Sequence, residues 1–293
     1  MNGNWRSVEN HISEVTGKTI HFENSKSVSG GCINDSFNIS DLEHNHWFIK
    51  TNKPELIDMF EAEAAGLDEL KKSETIRIPK KICCGTTAAF SYLVLEHIPL
   101  KSQISQQKTG IQLAQMHQTF SSHFGWARNN NIGSTIQSNT PHDDWISFWK
   151  EERMLFQLKL AKDKGYPYKA YDSGLELAEK IHLFFTDYQP RPSLLHGDLW
   201  GGNCASDNNN NPVIYDPAVY YGDRETDIAM TELFGGFNQD FYAAYNDSCA
   251  LDPGYKTRKN LYNLYHILNH YNLFGGSYAS QANSVTQKLL SEV

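Results

Sequence analysis

The sequence predicts an α+β chain of two lobes, a small β-rich lobe followed by a larger, mainly helical one. Strand-like runs rich in aromatic and β-branched residues, "HWFIKT" at 46–51 and "FSYLVLEHI" at 90–98, fall within the first hundred residues with one helical pattern between them. After Ile98 and Pro99 helical periodicity takes over. The 293 residues suffice for one large domain or two lobes. The boundary is expected between residues 97 and 98, giving lobes 1–97 and 98–293 with a ligand cleft between them.

The helix between the two strands is expected over Glu55–Lys72. Leu56, Met59, Phe60, Ala64, Leu67 and Leu70 recur at helical spacing, and Pro54 stands near the start, where proline is tolerated. Further helices are expected over Ser105–His117, Asp144–Lys164 and Ser173–Phe185. Another is expected toward the C-terminus, where Leu261, Leu264, Tyr265 and Leu268 share one face. Two short strands interrupt them, around Cys204 and at Val213–Tyr215, and "DNNNNP" at 207–212 reads as a solvated hairpin tip.

Charged residues make up 20% and hydrophobic residues 40%, and the formal net charge is −8. That balance argues against nucleic-acid binding, which needs a basic stripe, while leaving a nucleotide substrate open. "MNGNWRSVEN" lacks a signal-peptide layout, and apolar runs such as "YLVL" are too short to span a bilayer. A cytoplasmic location without membrane contact is expected. The five cysteines (Cys32, Cys83, Cys84, Cys204 and Cys249) are odd in number and form no CxxC pair. Neither a disulfide framework nor a structural zinc site is suggested.

The chemistry-bearing residues come in a definite order. Glu63 falls inside the apolar stripe of its own helix, between Phe60 and Leu67, so it needs a cationic partner. Lys50, at the end of the preceding strand, is the candidate. In protein-kinase-like enzymes a strand lysine grips the nucleotide phosphates and a helix glutamate holds it. Upstream, "SVSGGCINDSFNI" at 27–39 has two glycines, suited either to a phosphate-cradling loop or to an ordinary hairpin turn. Downstream, "LLHGDLWGGN" places Asp198 five residues before Asn203, and Asp216 follows. That is the kinase order: a carboxylate for the hydroxyl, then an asparagine and an aspartate for Mg²⁺. A zinc or iron site on His196 and Asp198 is the competing reading, and it lacks a third ligand.

"HGDLWGGN", "DPAVYYGDRETDIAM" (216–230), "GGCIND", "FIKTN", "MFEAEAAGLDEL" and "FGWARNNNIGSTIQSN" followed by "DWISFWKEERMLFQL" resemble, in order, the fructosamine kinase (ketosamine-3-kinase) family. The resemblance spans nearly the whole chain. It implies the protein-kinase-like two-lobe fold and ATP- and Mg²⁺-dependent phosphorylation of ketosamines at the third-carbon hydroxyl. The unstable 3-phosphate then falls off, which makes the activity a deglycation or repair step. Ketosamines on small molecules or on proteins are the implied substrates, and the bacterial type is expected to prefer ribulosamines or erythrulosamines. A kinase of the aminoglycoside or choline type, and a non-catalytic nucleotide-binding protein, are the other readings.

Carried over residue by residue, the resemblance makes Asp198 the catalytic base and Asn203 and Asp216 the magnesium ligands. Lys50 becomes the phosphate-gripping lysine with Glu63 as its partner. Gly30, Gly31, Cys32, Ile33 and Asn34 become the phosphate loop, and Glu96, His97 and Ile98 the hinge that meets adenine. Asp216-Pro217-Ala218 lacks the Phe-Gly of protein kinases and no Ala-Pro-Glu follows, so a phosphorylation-controlled activation loop is not expected. Trp200 is either a core residue or a wall against the substrate. Asp223 or Glu225 could face a cationic amine, and Asp227 is expected to cap a helix or brace the catalytic loop. Cys32 is either a small loop residue or a redox-sensitive thiol able to link two subunits. Monomer and homodimer both stay open.

Overall fold

The computed structural model describes residues 3–28 and 33–293. The small lobe is a five-stranded antiparallel sheet: β1 (Phe22–Val28), β2 (Asp35–Asp41), β3 (His46–Asn52), β4 (Lys81–Thr86) and β5 (Ser91–Glu96), in spatial order β1-β2-β3-β5-β4. Helices α1 (Gly3–Thr16) and α2 (Ile57–Lys71) pack on it. Side chains alternate across a strand, so each strand serves both helices. Ile49 of β3 with Tyr92 and Val94 of β5 joins Val8 and Ile12 of α1, while Leu93 and Leu95 join Phe60, Ala64 and Leu67 of α2. This double coverage explains why "SYLVLE" shows no polar alternation. It also aims Lys50, one residue beyond Ile49, at α2.

Helix α1 stands where no helix is expected, and its signal is Trp5, Val8 and Ile12 at spacings of three and four. The helix expected over 55–72 opens as a 3₁₀ turn at Pro54–Leu56 and becomes α-helical at Ile57.

After Glu96 the chain crosses to the large lobe. There follow β6 (Leu100–Lys101), α3 (Gln106–Met116), β7 (Asn130–Ile132), β8 (Thr135–Gln137), α4 (Trp145–Phe148), α5 (Phe156–Asp163), α6 (Tyr168–Lys180), β9 (Ser193–Leu195), β10 (Cys204–Asp207), β11 (Pro212–Ile214), β12 (Tyr220–Gly222), α7 (Glu225–Phe234), α8 (Gln239–Ser248), α9 (Tyr255–Phe274) and α10 (Tyr278–Leu290). Helices α4 and α5 are two ends of one helix joined by a π-helical stretch at Trp149–Leu155. Asp144 caps its start, accepting from the Ser147 N–H at 2.7 Å. The wide turn carries Arg153 to a fully buried place over the Phe148 and Tyr220 rings, at 4.6 and 4.1 Å. Helix α6 begins at Tyr168 rather than Ser173 and runs into a 3₁₀ segment ending at Phe185. The tip at 208–211 joins β10 to β11 and is exposed, as its composition predicts.

Helix α9 departs from the one-faced pattern expected of it. Every residue from Leu261 to Asn269 is buried, because α5, α7 and α10 all pack around it. A helix buried all round carries its polar residues inside, and one of them, His266, matters below.

Candidate active site

The loop 196–203 leaves the end of β9 in a shape set by its own hydrogen bonds. Gly197 takes φ +81°, and a Cβ there would lie 2.0 Å from the Ala218 carbonyl oxygen, so only glycine fits. His196 uses both ring nitrogens on the loop: Nδ1 accepts from the Asp198 N–H at 3.2 Å and Nε2 donates to the Tyr215 carbonyl at 2.9 Å. The imidazole is therefore the Nε2–H tautomer, and burial lowers its pKa, which keeps it neutral. A metal site on His196 has no free nitrogen to use. Asp227, in the first turn of α7, accepts from the backbone N–H groups of His196 (2.8 Å) and Gly197 (2.9 Å), and His117 Nε2 lies 3.2 Å away. It braces the loop.

Lys50 Nζ donates to Glu63 Oε1 at 2.7 Å and to Asp216 Oδ1 at 2.5 Å, joining β3, α2 and the segment after β11. Burial alone would lower the lysine pKa, but the Asp216 and Glu63 carboxylates outweigh it and hold the ammonium above its ordinary value. Burial leaves the Glu63 carboxyl above its usual range while Lys50 pulls it back. Asp216 sits at φ +57°, a left-handed backbone that aspartate tolerates better than most residues with a Cβ. The eight residues 217–224 that separate Asp216 from α7 include β12, which is paired with β9.

Asn203 Nδ2 donates to the Asp198 carbonyl (2.9 Å) and to its carboxylate Oδ2 (3.1 Å), fixing the aspartate rotamer. Burial first, then the nearby Asp216 charge, pushes the Asp198 carboxyl up to about 7. With the amide nitrogen committed, Asn203 has its carbonyl oxygen left, and it lines the same cavity as Asp216. Two hard oxygen donors of this kind suit Mg²⁺.

These groups line a cavity of about 460 Å³ between the lobes. Ile33, Asn34, Lys50, Glu63, Asp198, Trp200, Asn203 and Asp216 all border it. Asn52 Nδ2 holds the neighbouring loop through Ile33 O (3.0 Å) and Asn34 Oδ1 (2.7 Å). Gly30, Gly31 and Cys32 lie outside the described residues. Trp200 is not a core residue: it is 38% exposed, its ring leaves a Cβ on Gly202 no room, and it meets Phe234 edge-on at 6.5 Å. Glu96, His97 and Ile98 stand at the crossing between lobes, outside this cavity's lining. There Glu96 pairs with Arg77 at 2.9 Å, and burial, with His46 nearby, lowers the His97 pKa.

Asp223 and Glu225 do not face the cavity, which corrects the expectation that one of them meets a cationic amine. Both are fully buried. Tyr188 and Tyr262 donate to Asp223, and Arg258 clamps Glu225 through two hydrogen bonds of 2.8 and 2.9 Å. What sequence reasoning misses is much of the remaining lining of the cavity: Asn130, Phe234, His266, Asn269, His270 and Tyr278. Its only signal is the pair His266 and His270, four apart on one helix.

Comparison with known proteins agrees with this geometry. The fructosamine kinase family model matches residues 4–292. A "Probable ketoamine kinase" of Synechocystis is 44% identical over 289 residues, covering 98% of this chain and 97% of that protein. The chloroplastic protein-ribulosamine 3-kinase of Arabidopsis thaliana is 42% identical over 278 residues, covering 94% of this chain and 85% of that protein. Among solved structures, a candidate fructosamine-3-kinase from Haemophilus somnus superposes with a TM-score of 0.90 at 30% identity, covering 98% of both chains. The choline kinase of Streptococcus pneumoniae shares the fold alone, with a TM-score of 0.64 at 13% identity over 99% of both chains. Among the described residues, no helix is long and apolar enough to cross a membrane. With its family model matched nearly end to end and its two-lobe fold shared, the chain belongs to the fructosamine kinase family.

Proposed function

We propose that this chain is an ATP-dependent kinase that phosphorylates the 3-hydroxyl of ketosamines, a deglycation activity of the cytoplasm. The observation that carries the reading is the bridge from Lys50 to both Glu63 and Asp216, beside the Asn203-held carboxylate of Asp198 on the same cavity. Phosphoryl transfer passes through a loose transition state, so positioning and charge do most of the work. Lys50, held by Glu63, grips the nucleotide phosphates. Ile33 and Asn34 border them, as the described end of the expected phosphate loop, and the backbone of Glu96, His97 and Ile98 meets adenine. Asn203 and Asp216 would hold Mg²⁺, which when bound offsets phosphate charge. Asp198 orients the sugar hydroxyl and accepts its proton, and Trp200 forms a wall of the substrate site. Together these side chains would complete a kinase centre, so a non-catalytic role is set aside. The choline-kinase type shares only the fold.

The test is turnover with ATP on ribulosamine, erythrulosamine, fructosamine and aminoglycoside substrates, with the phosphate position read by phosphorus NMR. Phosphorylation of a ketosamine at C3 is expected. Turnover confined to the aminoglycoside would overturn the proposal.

A further inference from the structure

The cavity has an open side and a closed side. At the rim, Trp200 is 38% and Phe274 56% exposed, whereas His266 on α9 is 5% exposed. The polar groups of the closed wall are mostly committed. Asn130 donates to the Val219 carbonyl at 2.7 Å and accepts from Gln137 and Asn139. Asn269 donates to the Ile132 carbonyl at 3.3 Å and accepts from Gln157. The His266 imidazole is different. Among the described residues neither ring nitrogen has a hydrogen-bond partner; Nδ1 is sealed within the wall, so Nε2 is the nitrogen that a ligand in the cavity can reach. Buried polar groups are rarely left unpaired, and one that borders a ligand cavity calls for a ligand atom.

A ketosamine has two ends. The amine carries a group of any size, up to a whole protein, and must leave through the open rim. With the 3-hydroxyl at Asp198, the remainder of the sugar chain then points to the closed wall. We propose that His266 is a specificity-determining residue that hydrogen-bonds the terminal hydroxyl of the sugar chain, beyond the reacting carbon. This rests on the function proposed above and goes beyond it, because it fixes which end of the substrate lies inside. Burial, reinforced by His270, lowers the imidazole pKa to about 3, so the ring meets the sugar neutral, as suits a hydroxyl rather than an anion.

The experiment measures kcat and KM for a ribulosamine and for its analogue lacking the terminal hydroxyl. Wild type, His266→Leu and His266→Asn are compared, with the ATP KM of each as a check on folding. Loss of a buried hydrogen bond to a hydroxyl is expected to raise the ketosamine KM about tenfold or more in His266→Leu, with the ATP KM within about twofold of wild type. The deoxy analogue is expected to lose about the same in wild type and almost nothing further in His266→Leu, while His266→Asn recovers part of the loss. An unchanged ketosamine KM in His266→Leu, or equal penalties for the analogue in wild type and variant, would overturn the assignment. Because the analogue is also run on wild type, a variant that fails to fold leaves a decisive arm: wild type indifferent to the missing hydroxyl refutes the contact. Failure of wild type to turn over any ketosamine would refute the proposed function itself, a result plainly different from active wild type indifferent to His266.

Discussion

Asp198 shows how one residue's surroundings set its task. A carboxylate that must take a proton works best with a pKa near working pH, and burial beside Asp216 moves it to about 7. The deprotonated form is the base, and Mg²⁺ on Asp216 would draw the carboxyl down from that value, so kcat/KM should be flat above about pH 7 and fall about tenfold per pH unit below a midpoint between about 5 and 7. A profile flat to pH 5 would contradict this. Asp198→Asn keeps the shape and removes the base. It should lower kcat by roughly 10²–10⁴ while calorimetry shows ATP binding near the wild-type level.

At the scale of elements, helix α7 braces the backbone of the catalytic loop through Asp227. Asp227 satisfies two backbone N–H groups that have no water nearby, since His196 and Asp227 are 0% and 1% exposed. Replacing it with alanine strands both donors at about 1–3 kcal/mol each. Asp227→Ala should therefore lower the thermal midpoint by several degrees and reduce kcat more than it raises the ATP KM. Preserved melting and activity would show that the loop holds itself.

The elements also show what a sequence carries. The alternation that sends Ile49 to α1 and Lys50 to α2 is local, and the Lys50–Glu63 pair was legible because an apolar stripe cannot leave a carboxylate alone. The order Asp198, Asn203, Asp216 was legible for the same kind of reason: the chemistry demands those groups in one place. Asp223 and Glu225 were misread because a carboxylate cluster looks the same whether it awaits a substrate or an arginine. The partner of Glu225 is Arg258, on another helix, and only the packing of α7 on α9 brings the two together. His266 was missed for the converse reason: on a helix expected to bury one face it lies off that face and reads as surface, and only the packing of α5, α7 and α10 around α9 buries it.

For the whole molecule, α2 ties the lobes together. Trp126 Nε1 and the Tyr221 hydroxyl, both from the large lobe, donate to Glu69 at 3.3 and 2.9 Å, and Arg128 reaches Asp58 at 2.6 Å. Burial raises the Glu69 pKa, yet hydrogen bonds from Lys72, Tyr221 and Trp126 win and hold it low. Glu69 lies on the helix that carries Glu63, so a looser anchor misplaces Lys50 at a distance. Glu69→Ala should cost about 1–2 kcal/mol of stability and raise the ATP KM several-fold. Chemical denaturation with ATP titration would check both.

The eight residues between Asp216 and α7 have a further consequence. With β12 stitched to β9 inside them, there is no slack from which a switchable segment could swing in or out of the cleft. Asp216 therefore reaches Lys50 as soon as the large lobe is folded, and control by swinging the segment that follows it has no room to act.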